Sequence, residues 1–451
     1  MQASEVFEAK VPRYTSYPTA PHFHAGIGPD SYRRWLEELP CEKTISLYLH
    51  IPFCDTLCWF CGCHTSVVHN YTPVAEYCDL LLREMVLVAD TLGPRHKIGH
   101  IHWGGGSPTM LRPEDVARLD RTTRELFDIR QDAEFAVEVD PRGLEQASVD
   151  ALAAAGLTRA SVGVQDCDAA VQKAVNRLQT AEETRAAIAK LRAAGIQSLN
   201  LDLLYGLPLQ TAESWENTLR FALDLDPDRL SVFGYAHLPS FKKHQALISA
   251  AQLPDTAARF RLAEMAGRIL GEHGYVAIGL DHYAKPCDSM AKALAEGCLS
   301  RNFQGYTTDK APALIGLGAS AIGSLPQGYV QNLPSVPLYR ASLLRGRLPV
   351  ARGAALSAQD RLRRQIIERL MCDLSADLDA ICAAHGASLD QLRDSISRLG
   401  ELADRGMVSI EESRITIPAQ WRSATRLVCA AFDCYLAAGA KEDRPTHSMA
   451  V

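Results

Sequence analysis

Apolar, strand-like runs alternate with helical stretches through the first half of the chain, and this rhythm limits the possible folds more than any other feature. The strand-like runs cover residues 45–50, 98–103, 134–140, 160–165, 198–204 and 229–236. Helical stretches lie between them, for example at residues 74–92, 114–127, 181–194 and 214–225. Strands that alternate with helices are typical of βα units around a parallel sheet. Six units are too few for a closed eight-stranded barrel, so the rhythm predicts an open, partial one.

Each predicted strand has one apolar face and one polar face. Asn200 and Asp202 alternate with leucines, and Glu138 and Asp140 alternate with valines. Side chains of a strand point to opposite faces in turn, so the apolar face would pack against helices while the polar face looks inward. Sites of parallel α/β folds lie at the carboxyl ends of the strands. A repeated polar face therefore indicates a site inside the barrel.

Four cysteines follow the first strand-like run. Cys54, Cys58 and Cys61 have CxxxCxxC spacing, and Cys63 comes two residues later. Three thiolates on a four-iron cluster leave the fourth iron open to a small molecule. A zinc site with Cys63 or His64 as its fourth ligand is the alternative, and a disulfide is less favoured because such crowded thiols are typical of reducing compartments.

The composition indicates a folded protein without a general affinity for polyanions. Among 451 residues, 47% are hydrophobic and 22% are charged, and the net charge is −6. The charge argues against a general nucleic-acid or acidic-membrane binder. No apolar run reaches the 18 residues of a bilayer span, and the first residues lack the centre of a signal peptide. We therefore expect a cytoplasmic protein with reduced thiols.

Changes in pattern along the chain predict five segments. Residues 1–44 form an N-terminal arm with little core of its own, and residues 45–324 form the barrel with an extension that closes its open side. Residues 325–356, rich in Pro and Gly, are expected to be a linker. Residues 357–440 would form a C-terminal domain, and residues 441–451 a disordered tail.

Helices followed by a short hairpin at residues 407–417 give the C-terminal domain a winged-helix-like pattern, with one helix expected over residues 388–405. Winged-helix folds often bind DNA, but the sequence offers no basic surface for that role. Thr211 is expected to be the N-cap of the helix that begins near residue 214.

Several ordered motifs resemble one known family. CxxxCxxC directly after a strand resembles the signature of the radical S-adenosylmethionine (SAM) enzymes, and the wider pattern resembles the oxygen-independent coproporphyrinogen III oxidases. The matching segments are Pro-Arg-Tyr-Thr-Ser-Tyr-Pro-Thr (12–19), Tyr-Leu-His-Ile-Pro-Phe-Cys (48–54), Gly-Gly-Gly-Ser-Pro-Thr (104–109), Glu-Val-Asp-Pro-Arg (138–142), Gly-Val-Gln-Asp (163–166), Tyr-Gly-Leu-Pro (205–208), Tyr-Ala-His-Leu-Pro (235–239) and Arg-Asn-Phe-Gln-Gly-Tyr-Thr-Thr (301–308).

The resemblance implies an α/β fold, a partial (β/α)6 TIM-like radical SAM barrel, and an oxidoreductase of porphyrin and haem biosynthesis. A 5′-deoxyadenosyl radical, formed from SAM at a [4Fe-4S] cluster, would act on two propionates of coproporphyrinogen III. Their anaerobic oxidative decarboxylation to vinyl groups would give protoporphyrinogen IX. The alternative is a related haem chaperone without oxidase activity. Such relatives typically lack the fourth cysteine and the arm motif, and this chain has both.

The resemblance also assigns residues. Cys54, Cys58 and Cys61 would ligate one cluster, and Cys63 would serve catalysis. Two SAM molecules are implied, and their contacts would be Tyr48, Phe60, Gly106, Ser107, Pro108, Glu138, Gln165, Arg177, Asp202, Ala236 and Ile322. Substrate carboxylates need cations, for which Arg13, Lys285 and Arg301 are candidates. The chain departs from the family at three positions. Ser107 stands where Thr is common, Lys285 stands where Arg is common, and His64 stands where Asn often follows the last cysteine of the loop.

The partners implied are coproporphyrinogen III and a low-potential electron donor of unknown identity. We expect no nucleic acid, no membrane and a monomeric chain.

Overall fold

A twelve-stranded sheet forms the centre of the molecule. The computed structural model describes residues 7–438, and the predicted disordered tail at residues 441–451 lies outside the described residues. The middle strands of the sheet pair in parallel, and short antiparallel strands form both of its edges. Helices cover its outer face and bury the apolar side of each strand.

Seven strands of this sheet pair in parallel, and the first six of them along the chain form the predicted partial (β/α)6 barrel, which is confirmed. The strands of the barrel and of the loop between the first two are β1 (Ile45–Ile51), β2 (Phe53–Cys54), β3 (Ser66–Val67), β4 (Lys97–Gly105), β5 (Asp128–Val139), β6 (Arg159–Gln165), β7 (Ser198–Tyr205) and β8 (Arg229–Gly234). The helices up to the end of this region are α1 (Pro29–Glu37), α2 (Thr72–Leu92), α3 (Pro113–Leu126), α4 (Gln146–Ala154), α5 (Ala169–Ala174), α6 (Ala181–Ala193), α7 (Ala212–Asp224) and α8 (Thr256–Glu272).

Local sequence fixes where these helices begin. Thr211 caps α7 as predicted, because its side chain accepts from the backbone N–H of Ser214 and Ser214 Oγ accepts from Thr211 N in return. Thr180 forms the same reciprocal cap with Glu183 at the start of α6. Each cap satisfies backbone donors that the first helical turn would leave unpaired.

Short strands extend the barrel on both sides. On the β8 side the chain adds β9 (Val276–Ile278) and β10 (His282–Ala284), and on the β1 side it adds β13 (Leu314–Leu317), β14 (Ile322–Leu325), β15 (Gly328–Asn332) and β16 (Val350–Ala355). Between them lie α9 (Ser289–Ala295) and a separate hairpin of β11 (Ser300–Asn302) and β12 (Gly305–Thr307). β13 pairs in parallel with β1, and the other added strands pair antiparallel. The strand order of the central sheet is therefore β16-β15-β14-β13-β1-β4-β5-β6-β7-β8-β10-β9.

The expected linker at residues 325–356 is wrong, because this segment contains β15, β16 and the helix α10 (Val336–Leu344). Its glycines are not flexible joints. Gly328 and Gly353 lie in the β15–β16 ladder, where an added Cβ would overlap the carbonyl oxygens of Ala354 and Tyr329. The composition that suggested a linker reflects a close approach between two strands.

The C-terminal domain is mostly helical and carries a small antiparallel sheet. Its elements are α11 (Ala358–Asp373), β17 (Ser375–Asp377), α12 (Leu378–Ala384), α13 (Arg393–Ser397), α14 (Gly400–Asp404), β18 (Ser409–Glu411), β19 (Arg414–Thr416), α15 (Thr425–Ala430) and α16 (Cys434–Ala438). The single helix predicted over residues 388–405 is wrong, because a 3-10 turn, α13 and α14 share this stretch. The predicted hairpin corresponds to β18 and β19.

The N-terminal arm packs into the C-terminal domain, and the expectation that it has little core of its own needs correction. Phe7, Val11, Tyr14 and Tyr17 are buried in the same apolar cluster as the helices of that domain. Tyr14 Oη donates to Asp433 Oδ2 at 3.1 Å. The two ends of the chain therefore share one core.

Candidate active site

A cavity of about 720 Å³ lies inside the barrel, near the carboxyl ends of the parallel strands. The polar strand faces meet there, as the alternating pattern predicts. Polar residues that line it from consecutive strands are His100 and His102 of β4, Glu134 and Glu138 of β5, Ser161 of β6, Asn200 and Asp202 of β7, and Ser231 of β8.

The cysteine loop borders this cavity. β2 and β3 close the loop by pairing Phe53 with Ser66 and Cys54 with Val67. All four predicted cysteines of the loop contribute to the lining. Since the loop is closed at its base and open toward the cavity, its thiols face the polar strand ends.

Donors surround the sulfur atoms of the loop. Arg177 Nη1 lies 3.5 Å from Cys58 Sγ, Thr65 Oγ1 lies 3.1 Å from Cys54 Sγ, and the backbone nitrogen of Cys63 donates to Cys61 Sγ at 3.4 Å. A hydrogen bond from the Cys63 side chain is the main cause that lowers the pKa of Cys61 to about 6, whereas burial raises the pKa of Cys54 to about 11. Hydrogen bonds to cysteine sulfur are among the features that tune iron–sulfur clusters. The donor set therefore fits a cluster bound through Cys54, Cys58 and Cys61.

A single metal ion fits these residues less well. Tetrahedral zinc at about 2.3 Å from each thiolate brings its ligands to within about 4 Å of one another. Between residues 7 and 438, no three His, Cys, Asp or Glu side chains converge closely enough to hold an ion.

Asp140 and Arg142 belong to the site, although Glu138 is the only residue of their motif that was predicted to contact SAM. Asp140 accepts from Arg142 at 2.6 Å and lies 3.4 Å from Arg177, and Arg142 Nη2 lies 3.8 Å from Cys58 Sγ. Their position two residues apart after a strand end was the available signal, because such residues meet at the same edge of the sheet.

A second set of residues that contact the cysteine loop was not predicted, because nothing in their local sequence indicates this contact. Lys242 Nζ donates to the carbonyl of Cys63 at 2.9 Å, His244 Nε2 lies 2.8 Å from that of Cys61, and Gln245 Nε2 donates to that of Phe60 at 3.0 Å. Three side chains from one short segment thus contact backbone carbonyls of the cysteine loop, and two of them, Lys242 and Gln245, also line the cavity.

The triple-glycine segment lies against the base of the loop and the carboxylate of Glu138. A Cβ at Gly104 would come 2.5 Å from Glu138 Oε1, and one at Gly106 would overlap the backbone of Phe53. Gly105 N donates to Glu138 Oε2 at 3.0 Å. Glycine is therefore required here by close approach, which allows strand, carboxylate and loop to share a small space.

Glu138 and Asp202 are two inward carboxyl groups with opposite pKa shifts. Burial raises the pKa of Glu138, but hydrogen bonds from His102 and Gly105 N outweigh it and leave the pKa below its ordinary value. Burial and the nearby charge of Glu138 raise the pKa of Asp202 above its ordinary value. Ser161 Oγ and Asn200 Nδ2 donate to Asp202 at 2.9 and 2.8 Å.

The cavity brings together most of the predicted SAM contacts. Phe60, Gly106, Glu138, Gln165, Arg177, Asp202 and Ala236 line it. Gln165 has a φ of 67° at the end of β6, an unusual conformation for a side chain other than glycine. Arg177 donates to the carbonyl of Gly163 at 2.6 Å as well as approaching Asp140 and Cys58.

Four predicted contacts lie outside this lining. Tyr48 is buried on β1, with its hydroxyl 2.9 Å from His50 Nδ1. Ser107 and Pro108 follow β4, and Ser107 N donates to the carbonyl of Phe53 at 2.7 Å. Ile322 begins β14 and packs against the cluster around Phe23.

A second cavity, of about 820 Å³, adjoins the first, and the two share the wall formed by Arg13, Gly234, Tyr235, Ala236 and Leu238. Of the three cations suggested for substrate carboxylates, Arg13 lines both cavities and Arg301 lines the second. Lys285 lines neither, because it pairs with Asp226 at 2.6 Å on the outer surface.

Between residues 7 and 438 the structure contains no helix with the length and apolar character needed to traverse a bilayer.

Comparison with known proteins agrees with this geometry. The radical SAM superfamily model matches residues 48–222. The chain is 50% identical to the oxygen-independent coproporphyrinogen III oxidase of Bradyrhizobium diazoefficiens, over 98% of each chain. It is 40% identical to that of Escherichia coli, over 94% of this chain and 93% of the relative. The solved structure of coproporphyrinogen III oxidase from Escherichia coli, a radical SAM enzyme, superposes with a TM-score of 0.89 at 38% identity, covering 95% of this chain and 100% of that one.

Since this similarity extends over nearly the whole of both partners, the chain belongs to the oxygen-independent coproporphyrinogen III oxidases of the radical SAM superfamily.

Proposed function

We propose that this protein converts two propionate side chains of coproporphyrinogen III to vinyl groups without oxygen, giving protoporphyrinogen IX. The observation that carries the proposal is the first cavity, where the cysteine loop lies beside the inward carboxylates Glu138 and Asp202 and the guanidinium of Arg177. When bound, the cluster and SAM would supply the electron and the carbon radical that removes a hydrogen atom from the substrate.

The cysteine loop would hold the cluster through Cys54, Cys58 and Cys61. Arg177 and Arg142 place positive charge against Cys58, and Lys242 and His244 hold the loop through its carbonyls. Cys63 lines the cavity and is proposed to serve the reaction instead of the cluster, since three thiolates leave one iron open to SAM.

The inward carboxylates suit the groups of SAM. Glu138 has a lowered pKa, so it is ionised near neutral pH and can face the amino group of SAM. Asp202 can accept from the two ribose hydroxyls, and Ser161 and Asn200 hold its carboxylate in place. Arg177 is proposed to attract the carboxylate of SAM while it braces Asp140 and Cys58.

Two further features belong to the proposal. Predicted contacts on different strands of one cavity support two bound SAM molecules, and a low-potential electron donor would reduce the cluster. The polar strand faces are spread from β1 to β8, which leaves more wall than a single small ligand would cover.

The test is anaerobic incubation of the cluster-containing protein with coproporphyrinogen III, SAM and a strong reductant. We expect protoporphyrinogen, with about two 5′-deoxyadenosine and two methionine formed per product, because each propionate needs one radical. The Cys58→Ser protein is the matched control and should form none of these three products. Porphyrin binding without any decarboxylation by the parent protein would favour the haem-chaperone alternative.

A further inference from the structure

The second cavity is lined by arginines that converge from separate parts of the chain. They are Arg13 of the arm, Arg259 and Arg268 of α8, Arg301 of β11, and Arg422 and Arg426 of the C-terminal domain. Among the residues that the structure describes, two carboxylates line the same space, Glu264 and Asp281. Positive side chains therefore outnumber negative ones on this wall, which is the arrangement expected around an anionic ligand.

Arg268 pairs with Glu272 at 3.0 Å, whereas Arg13, Arg301 and Arg422 donate to backbone carbonyls. Arg13 Nη2 donates to Gly234 O at 2.6 Å, Arg301 Nη2 donates to Arg13 O at 3.3 Å, and Arg422 Nη1 donates to Gly279 O. A carbonyl orients a guanidinium but does not neutralise its charge. Within residues 7–438, Arg301 also has two buried nitrogens, Nε and Nη1, that lack a hydrogen-bond partner. Donors in this state are satisfied when a carboxylate binds.

The titration behaviour of neighbouring groups agrees with an excess of positive charge. Burial raises the pKa of Asp281, but the hydrogen bond from His282 and the charges of Arg301 and Arg13 lower it overall to about 2. Burial and the nearby charge of Arg13 lower the pKa of Arg426 to about 9. The guanidinium groups thus lie close enough to affect one another, and an anion between them would relieve that repulsion.

We propose that the second cavity binds the propionates of coproporphyrinogen III that are not decarboxylated, with Arg301 and Arg422 as principal partners. This inference rests on the proposed function, in which two of four propionates react and two remain. The reacting propionate must reach the first cavity. The wall shared through Arg13 and residues 234–236 lets one macrocycle present one side chain there while its other carboxylates meet the arginines.

The experiment measures binding of two porphyrins to the anaerobically purified, cluster-containing protein by fluorescence anisotropy. Coproporphyrin III carries four carboxylates, and its tetraamide has the same ring without charge. The variants are Arg422→Gln and Arg301→Gln. Each should weaken coproporphyrin III binding by about ten- to a hundredfold, the effect of one charge-assisted contact, and leave tetraamide binding unchanged. A purely structural role would change both ligands alike.

The matched control is Arg393→Gln, an arginine of the C-terminal domain that pairs with Asp390 on the surface at 2.6 Å. It should bind both porphyrins as the parent does. Arg422→Lys keeps the charge and should retain most of the affinity, which covers the case in which Arg422→Gln does not fold. A lysine variant that folds but binds as poorly as the glutamine one would overturn the proposal.

Product formation by the parent is measured in the same preparations. If the parent forms protoporphyrinogen while both glutamine variants bind coproporphyrin III normally, the second cavity is not the carboxylate site, yet the proposed function stands. If the parent binds the porphyrin and forms no product, the proposed function fails and this inference fails with it.

Discussion

Several arginines line each of the two cavities, but their hydrogen-bond partners differ. In the first, arginines face carboxylates: Arg142 pairs with Asp140 at 2.6 Å, and Arg159 pairs with Glu134 at 3.3 Å. In the second, Arg13 and Arg422 donate to backbone carbonyls. Paired charges suit a ligand that carries both signs, as SAM does, whereas an excess of positive charge suits a polyanion.

The cavities also differ in how the chain builds them. Consecutive strands of the barrel supply the first, so its residues recur with the βα rhythm. The second is assembled from the arm, α8, β11 and the C-terminal domain. This difference supports the proposal that the barrel carries the radical chemistry while the arm, α8, β11 and the C-terminal domain together form the substrate site.

The largest effect should come from the cysteine loop. Cys58→Ser should remove the cluster and abolish SAM cleavage, because three thiolates are the minimum for a cluster with one open iron. Iron and sulfide analysis with the visible spectrum measures this. The matched control is Cys63→Ser, which should retain the brown chromophore and lose product formation. If Cys63→Ser also loses its iron, the assignment of ligands is wrong.

The shared core of the chain ends gives the next largest effect. Phe7 is 1% exposed and packs with the C-terminal domain, so Phe7→Ala should lower the free energy of unfolding by about 3–5 kcal/mol. Phe241→Ala is the matched control, since Phe241 is 53% exposed and the change should cost less than about 0.5 kcal/mol. Denaturant unfolding measures both. Equal stability of the two variants would show that the arm does not belong to this core.

A smaller effect is expected at the inward face of β7. Asp202→Asn keeps the size of the side chain and removes its charge, so SAM affinity should fall by about ten- to a hundredfold while the cluster remains. Equilibrium SAM binding under anaerobic conditions measures it, and SAM cleavage should partly recover at high SAM. Unchanged affinity with an intact cluster would mean that Asp202 only supports Ser161 and Asn200.

The smallest effect is expected at Lys285, which lines neither cavity. Its exposed pairing with Asp226 contributes at most about 1 kcal/mol to the free energy of unfolding, so Lys285→Gln should leave the fold intact. Because Lys285 lines neither cavity, this change should alter the porphyrin affinity by less than about twofold. The same titration as for Arg301→Gln provides the comparison. A loss as large as that of Arg301→Gln would place the substrate outside the second cavity.

The sequence predicted the barrel because its signals are local. The alternation of polar residues such as Asn200 and Asp202 with leucines indicates which side chains face inward. A reciprocal cap at Thr211 determines where α7 begins. The cysteine spacing likewise reports a short loop. These features require no knowledge of distant contacts.

Features that depend on distant contacts could not be predicted. Lys242 and Gln245 bind a loop about 180 residues earlier in the chain. Arg422 and Arg13 line one cavity because the N-terminal arm packs against the C-terminal domain. Glycines at positions 328 and 353 looked like a linker, although tight pairing between two strands requires them. Tertiary packing decides such positions, and a local pattern does not report it.

A crossed pair of titrations tests the division between the cavities most directly. The affinities for SAM and for coproporphyrin III are measured on the cluster-containing parent, Asp202→Asn and Arg422→Gln proteins. The account predicts that Asp202→Asn weakens SAM binding by at least about tenfold and leaves porphyrin binding within about twofold, and that Arg422→Gln does the reverse. If either variant weakens both ligands equally while remaining folded, the two cavities do not bind separate ligands and the account is contradicted.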